Sequence, residues 1–314
     1  MARTLADTIR EITKRHLDNG GLLLGQAITA VGYVNNTVPQ HKNIVELPMC
    51  DVAGAGFAVG TAIVGKRPIL VVRFQDFMFL NGSVLVNYAA KSKEIFGQPC
   101  PIFIRAIVAE GYGIGIVHST CLHSIFAHIP SMKVVAPMTP NEYQIAWDYF
   151  MENDEPMFVS EHRWAYEESK ELQDIVVENA DATIYAISGA RFSAMEAVEV
   201  LKEEGIRCNL IHIFWLKPLD LKLSYLEDWN SNKLGLVVDS DYGICGIAES
   251  VAYNLMRKTG KPVKALGRRD NSTGVGQHLV NGTPTAEQIV AEIKSMVRGE
   301  KYGNDTRKAL SANT

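Results

Sequence analysis

Residues 43–74, NIVELPMCDVAGAGFAVGTAIVGKRPILVVRF, carry the reading that decides the fold. Their middle, 51–64, is small and apolar on every side, which predicts a helix packed closely on other backbones. Gly65 ends that helix, Pro68 resets the chain, and Ile69 to Phe74 is a largely β-branched run fit for a fully buried strand. Toward the N-terminus, 2–18 is an amphipathic helix ending at Gly20-Gly21, followed by a buried run from Leu22 to Leu24 that opens the sheet. Toward the C-terminus the alternation continues with a helix at 82–95, a strand at 101–107, a glycine-rich loop at 111–115 and a helix at 119–128. A strand at 132–137, a helix at 140–152 and a strand from Met157 to Ser160 complete this unit. The charged stretch 163–181 lacks a sustained apolar run and reads as a connection. Beyond it, strands at 182–188, 208–218, 234–240 and 262–267 alternate with helices at 192–204, 221–229 and 246–259. The pattern predicts an α/β protein of two domains, each a mostly parallel sheet flanked by helices. The boundaries fall at 1–165, a linker at 166–180, a second domain at 181–300 and a flexible tail at 301–314. A length of 314 residues, about twice that of a usual single domain, agrees.

Composition narrows the function classes. Hydrophobic residues make up 47% and charged residues 21%, enough apolar surface for well-filled cores and too much for a disordered chain. A net charge of -4 offers no global basic field to collect phosphates from nucleic acid or a membrane surface. No apolar run reaches about 18 residues, and the charged N-terminal stretch lacks the apolar core of a signal peptide. The five cysteines are odd in number and form no C-x-x-C pair, which argues against a disulfide framework or a zinc site and for a reducing compartment. A cytoplasmic location is expected, with no nucleic-acid or membrane partner.

Three motifs invite chemistry. Gly54-x-Gly56-x3-Gly60 has the wrong spacing for a dinucleotide cradle and reads as close helix packing. Asp51 is the one carboxylate in an apolar stretch; on spacing alone it is a helix cap. His118, His123 and His128 recur at intervals of five, not the i, i+4 pairing of a metalloprotease helix, so a metal site is weakly supported. Yet three imidazoles beside a glycine loop, between two strands of a parallel sheet, lie where such folds place ligands. Structural and catalytic roles both stay open for them.

At these residues the sequence resembles the β subunit of the thiamine-diphosphate-dependent first component of 2-oxoacid dehydrogenase complexes, a branch of the transketolase superfamily, in a divergent form. The likeness rests on Leu47-Pro48-Met49-Cys50-Asp51, Gly65-x-Arg67-Pro68, Phe74-x-Asp76-Phe77, Asn87-x-Ala89-Ala90-Lys91, His118-Ser119, Phe126-Ala127-His128-x-Pro130 and Lys133-Val134-Val135-x-Pro137. In the second half it rests on Ala197 to Gly205, Leu216 to Asp220 and Val237 to Gly246. The resemblance implies a pyrimidine-binding domain followed by a transketolase C-terminal-like domain.

It also implies roles. Asp51 matches the acid that hydrogen-bonds the cofactor's pyrimidine nitrogen, Phe77 the aromatic that stacks on that ring, and His118 the substrate-facing imidazole that shuttles protons; Phe74 and Gln26 are placed at the cofactor too. Relatives carry glutamate at the position of Asp51, and Gly-Glu-Asp or Gly-Glu-Glu where this chain reads Gly25-Gln26-Ala27. The acid after a strand of the second domain, usually glutamate, is Asp239. The family's diphosphate and Mg2+ are held by a Gly-Asp-Gly segment that occurs nowhere in this chain. The resemblance therefore implies an α subunit that carries that motif, an α2β2 assembly around a β–β contact, and a possible lipoyl-bearing acyltransferase. The helix at 53–64 is either part of that contact or buried within one subunit. The expected chemistry is decarboxylation of a 2-oxoacid with transfer of the acyl or aldehyde fragment. The alternatives are one half of a split transketolase that moves a ketol unit between sugars, and a non-catalytic regulatory or structural subunit. His128, where many transketolases have an arginine, favours the oxoacid.

Overall fold

The computed structural model describes residues 2–30, 33–219 and 234–299. The expected helix at 221–229 and tail at 301–314 lie outside them. Helix α1 (Leu5–Asp18) starts on a capping box in which Thr4 and Asp7 satisfy each other's amides. Strand β1 (Leu23–Gly25) lies between β2 (Ile44–Glu46) and β3 (Ile69–Val72), all parallel. Between β2 and β3 runs α2 (Asp51–Ile63), which buries Ala55, Ala58, Val59 and Ala62 and leaves Phe57 exposed. Its buried face fits the reading of a helix packed within one subunit.

The helix expected at 82–95 begins earlier: α3 (Met78–Val84) passes through a π turn at Leu85–Ala89 into α4 (Ala90–Phe96), stopped by Gly97 in the left-handed conformation. Strand β4 (Phe103–Val108) is buried along its length. The expected helix at 119–128 shrinks to α5 (His123–Ala127), because the residues before it are tied to side chains instead: Leu122 N donates to Gln75 Oε1 and Thr120 Oγ1 to Asp76. Strand β5 (Lys133–Val135), helix α6 (Pro140–Glu152) and strand β6 (Met157–His162) follow.

After the connection come β7 (Ala182–Ile187), α7 (Ala190–Glu203) and β8 (Cys208–Ile213). The single strand expected at 208–218 breaks at Phe214, and β9 (Trp215–Lys217) leaves its own sheet to pair antiparallel with β5. Trp215 packs there at 4.8 Å on the ring of Tyr149 from α6. Strand β10 (Gly235–Tyr242), α8 (Ile247–Thr259), β11 (Val263–Arg268) and α9 (Ala286–Val297) complete the described chain. The first sheet runs β2-β1-β3-β4-β6-β5-β9 and the second β11-β10-β7-β8, so the protein is α/β with two mostly parallel sheets. One apolar core continues from Leu70 and Ile104 of the first sheet to Tyr185 and Val237 of the second. Among the described residues no helix is long and apolar enough to cross a membrane.

The centre of the first sheet buries an ion pair. Arg105 Nε and Nη2 donate to Glu161 at 2.7 and 2.9 Å, and the hydroxyls of Tyr143 and Tyr166 donate to the same carboxylate. Removing one partner strands the other charge without water. Arg105→Met is expected to cost about 3–5 kcal/mol in urea unfolding, while the double change Arg105→Met with Glu161→Met recovers most of it. The thiols give a second check. Cys50 and Cys245 are exposed, whereas Cys100, Cys121 and Cys208 are buried and burial pushes their thiols up to about 11, 11 and 12. Thiol titration of the native chain is expected to read Cys50 and Cys245 alone, and all five only after unfolding.

Candidate active site

Parallel strands deliver their following loops to one edge of the sheet, where α/β folds place ligands. Gln26 follows β1, Asp51 follows β2, Phe74 and Phe77 follow β3, and His118 follows β4. Gln26, Leu47, Met49, Asp51, Phe77 and Asn81 line a common cleft there. Its solvent space of about 70 Å³ is smaller than the roughly 300–1,000 Å³ of a complete ligand pocket.

Asp51 opens α2, and its carboxylate takes a hydrogen bond of 2.7 Å from Asn81 Nδ2 of α3. That bond aims it across the cleft, where a capping role would turn it back to the amides of α2. Asn81 is itself fixed, donating also to Phe77 O at 3.1 Å. The turn after Gln26 is held by Glu46 of β2, which accepts from Ile28 N and Thr29 N at 3.1 and 2.9 Å.

Phe74, Phe77 and His118 meet edge to face, with ring centroids 4.3 Å apart for Phe74 and His118 and 5.6 Å for each of the other two pairs. The imidazole fits only because residue 115 is glycine: a Cβ there would stand 2.7 Å from His118 Nδ1. Nδ1 is buried and has no hydrogen-bond partner among the described residues. Burial lowers the His118 pKa below its ordinary 6.5; Asp76 pulls it up and Arg73 pushes it further down. His118 is therefore neutral near pH 7 and able to take a proton.

The other two histidines go elsewhere. His128 is exposed. His123 is fully buried, with Nε2 2.8 Å from Asp239 and Nδ1 3.2 Å from both Cys121 Sγ and Ser160 Oγ. Burial opposes a charge on it, yet Asp239 outweighs this and holds its pKa well above the ordinary value. Ligand atoms of Cys121, His123 and Asp241 lie within 4.8 Å of one another. Both ring nitrogens of His123 already have protein partners, Asp239 at Nε2 and Cys121 and Ser160 at Nδ1. The cluster ties α5 to β10.

A second tie joins the glycine loop to the second half of the chain. Glu110 accepts from Thr283 N and Oγ1 at 2.7 and 2.6 Å and from Gly282 N. Burial works against its charge, but the contacts with His162 and Thr283 hold its pKa below the usual range.

Of the residues expected at the site, the structure brings Gln26, Asp51 and Phe77 together in one cleft, whereas Phe74 and His118 do not line it and pack against Phe77. The sequence reading misses Asn81 and Arg73, which also line the cleft. A carboxylate in an apolar helix start, which needs a polar neighbour, could have signalled Asn81, the asparagine one turn after Phe77.

Comparison with known proteins agrees with this architecture. Residues 17–169 match the transketolase pyrimidine-binding domain and residues 173–289 the transketolase C-terminal domain. The acetoin:2,6-dichlorophenolindophenol oxidoreductase β subunit of Cupriavidus necator is 29% identical, over 75% of this chain and 73% of its own. The pyruvate dehydrogenase E1 component β subunit of Rickettsia felis is 27% identical, over 81% and 83%. The 2-oxoisovalerate dehydrogenase β subunit of Bacillus subtilis is 27% identical, over 73% and 76%. Among solved structures, a split-gene transketolase described as an inactive β4 tetramer superposes with a TM-score of 0.73 at 19% identity, covering 95% of this chain and 99% of that one. The chain belongs to the transketolase superfamily, as a divergent member of the branch formed by the β subunits of the 2-oxoacid dehydrogenase first component.

Proposed function

We propose that this chain is the β subunit of a two-component, thiamine-diphosphate-dependent enzyme that cleaves a bond next to a carbonyl, decarboxylating a 2-oxoacid and passing its acyl or aldehyde fragment onward. The observation that carries the reading is the Asp51 carboxylate, held by Asn81 and facing the cleft beside Gln26 and Phe77. This donor set fits the aminopyrimidine half of the cofactor: a carboxylate acceptor for a ring nitrogen, an amide for an exocyclic amine, and an aromatic ring for the flat face. Nothing in the chain supplies the Gly-Asp-Gly segment for the diphosphate and Mg2+, which we assign to a partner α subunit. The exposed Phe79 of α3, Tyr88 of the π turn and Phe96 of α4, at 68, 62 and 77% of full exposure, support subunit contacts along this segment. We assign an α2β2 assembly with a β–β contact, with a lipoyl-bearing acyltransferase as the acceptor. For this reading the pyrimidine-binding domain is 1–165, the linker 166–180 and the C-terminal domain 181–300.

When bound, thiamine diphosphate supplies an electron sink next to the reacting carbonyl carbon. Asp51 keeps an acceptor at the ring-nitrogen position, and Asn81 stops the short side chain from rotating back to its own helix. Being one methylene shorter than glutamate, Asp51 reaches about 1.5 Å less far, so the start of α2 must lie close to the ring or one water must bridge. Phe77 shields one face from water. Neutral His118 would accept the proton that the reacting carbonyl's oxygen gives up as the fragment is passed onward, and return it to that oxygen when the next substrate adds. A second reading takes a neutral hydroxyketone, favoured by the relatives named for acetoin.

With the reconstituted pair, Asp51→Ala is expected to abolish exchange of the thiazolium proton, followed by NMR after acid quench. Unchanged exchange would remove Asp51 from the mechanism. His118→Ala is expected to leave cofactor affinity unchanged while turnover falls by about 10²–10⁴. Because the His118 pKa is lowered, activity in the unmodified enzyme should hold through pH 7 and fall only below about 6.5. That acid limb should vanish in the variant.

A further inference from the structure

His118 stands where its loop passes from solvent into the protein: Ile116 and Val117 are 70 and 42% exposed, whereas Ser119 and Thr120 are buried. Burial therefore holds the chain after His118 and not before it. We propose that Asp76 and Thr273 are positioning residues for His118, gripping the chain two residues to either side of it so that the imidazole stays against Phe74 and Phe77. The assignment rests on the reading of His118 as the group that carries protons, and adds the part of the second half of the chain on which that group depends.

Asp76 lies in the turn between the two rings that pack on His118, Phe74 at 4.3 Å and Phe77 at 5.6 Å. Both its carboxylate oxygens accept from one residue: Oδ1 from Thr120 Oγ1 at 2.6 Å and Oδ2 from Thr120 N at 3.2 Å. A carboxylate that takes the amide and the hydroxyl of the same residue fixes its backbone as well as its side chain. Gln75 joins the same two segments a little further on, accepting from Leu122 N at 2.7 Å while its amide donates to Ala106 O and Ser160 Oγ.

Thr273 arrives from the connection between β11 and α9. Its Oγ1 is 3.0 Å from Thr120 Oγ1 and 3.2 Å from Ile116 O, so one buried hydroxyl touches the chain at both ends of the five residues centred on His118. Thr120 uses its proton on Asp76, which leaves Thr273 to donate. The middle is pinned as well, since Ala109 N donates to His118 O at 3.2 Å.

Charge adds a second contribution from Asp76. Burial drives His118 toward the neutral form, and among the described residues the charged groups that act on it are Asp76, which favours the protonated form, and Arg73, which opposes it. Residues 111–117 carry no charge, and Thr273 adds none. Tyr242, at the end of β10, also feels Asp76, but burial keeps its phenol neutral near pH 7. Asp76 thus holds the loop and keeps the imidazole able to take up a proton.

The test is NMR titration of the histidine ring signals in the full-length chain without thiamine diphosphate, the His118 signal being the one lost in His118→Ala. Asp76→Asn keeps an acceptor for Thr120 and removes the charge, so the His118 pKa is expected to fall further below that of the unmodified chain. Thr273→Val keeps the shape and removes the hydroxyl; the loosened turn admits water, and the pKa is expected to rise toward the ordinary 6.5. Asp76→Glu, with the charge restored, should titrate closer to the unmodified chain than Asp76→Asn does. In the reconstituted pair, Thr273→Val should lower kcat by about tenfold or more with the KM for thiamine diphosphate unchanged, and Asp76→Asn should carry the acid limb of the pH profile to lower pH. Should Asp76→Asn not fold, the two readouts on Thr273→Val decide alone. An unchanged His118 titration in Asp76→Asn, or an unchanged titration together with unchanged turnover in Thr273→Val, overturns the proposal. Shifts of the expected sign with full turnover in His118→Ala would sink the proton-transfer reading and leave the positioning of His118 standing.

Discussion

The parallel direction of the first sheet is the constraint from which the site follows. Because β1, β2, β3, β4 and β6 all point the same way, the residues that leave them emerge on one edge, whatever their distance in sequence. Gln26, Asp51, Arg73, Phe74 and His118 are drawn from four separate connections, those that follow β1, β2, β3 and β4. No single loop could have gathered a carboxylate, an imidazole and an aromatic wall along that edge.

Loops at such an edge are held in place by buried charge rather than by apolar packing alone. The segment between β4 and α5, which carries His118, is fixed near both ends by residues of the second half of the chain. Gly282 and Thr283 grip Glu110, while Asp239 and Asp241 grip His123 and Ser124. Each of these groups would cost several kcal/mol if left unpaired away from water. The second sheet, with β9 added to the edge of the first, thereby sets the position of the site without lining the cleft.

The elements most legible in the sequence were those whose side chains are of one kind throughout. The small, apolar run 51–64 and the buried runs at 69–74 and 101–107 form α2, β3 and β4 close to where their pattern places them. The elements read less well are those decided by tertiary contact. The run 208–218 is mostly apolar, yet Trp215 finds its packing on Tyr149 and carries the chain into another sheet. Helix α9 and the short β2 are not singled out by the sequence pattern at all. At the site, Asp51, Phe77 and His118 are visible through the family resemblance, but Asn81 and Arg73 are not. Asn81 matters through the side chain that it meets across the fold, Asp51, and Arg73 through its place on the cleft.

The central claim is that this chain builds one wall of a shared pocket, with a shortened acid set against a heteroaromatic ring. The most direct measurement is a crystal structure of the chain with its partner subunit and thiamine diphosphate. The account requires an Asp51 oxygen within about 3.2 Å of the pyrimidine nitrogen, or joined to it by one ordered water. Asp51 turned back onto the amides of α2, with the ring held by other groups, would contradict it.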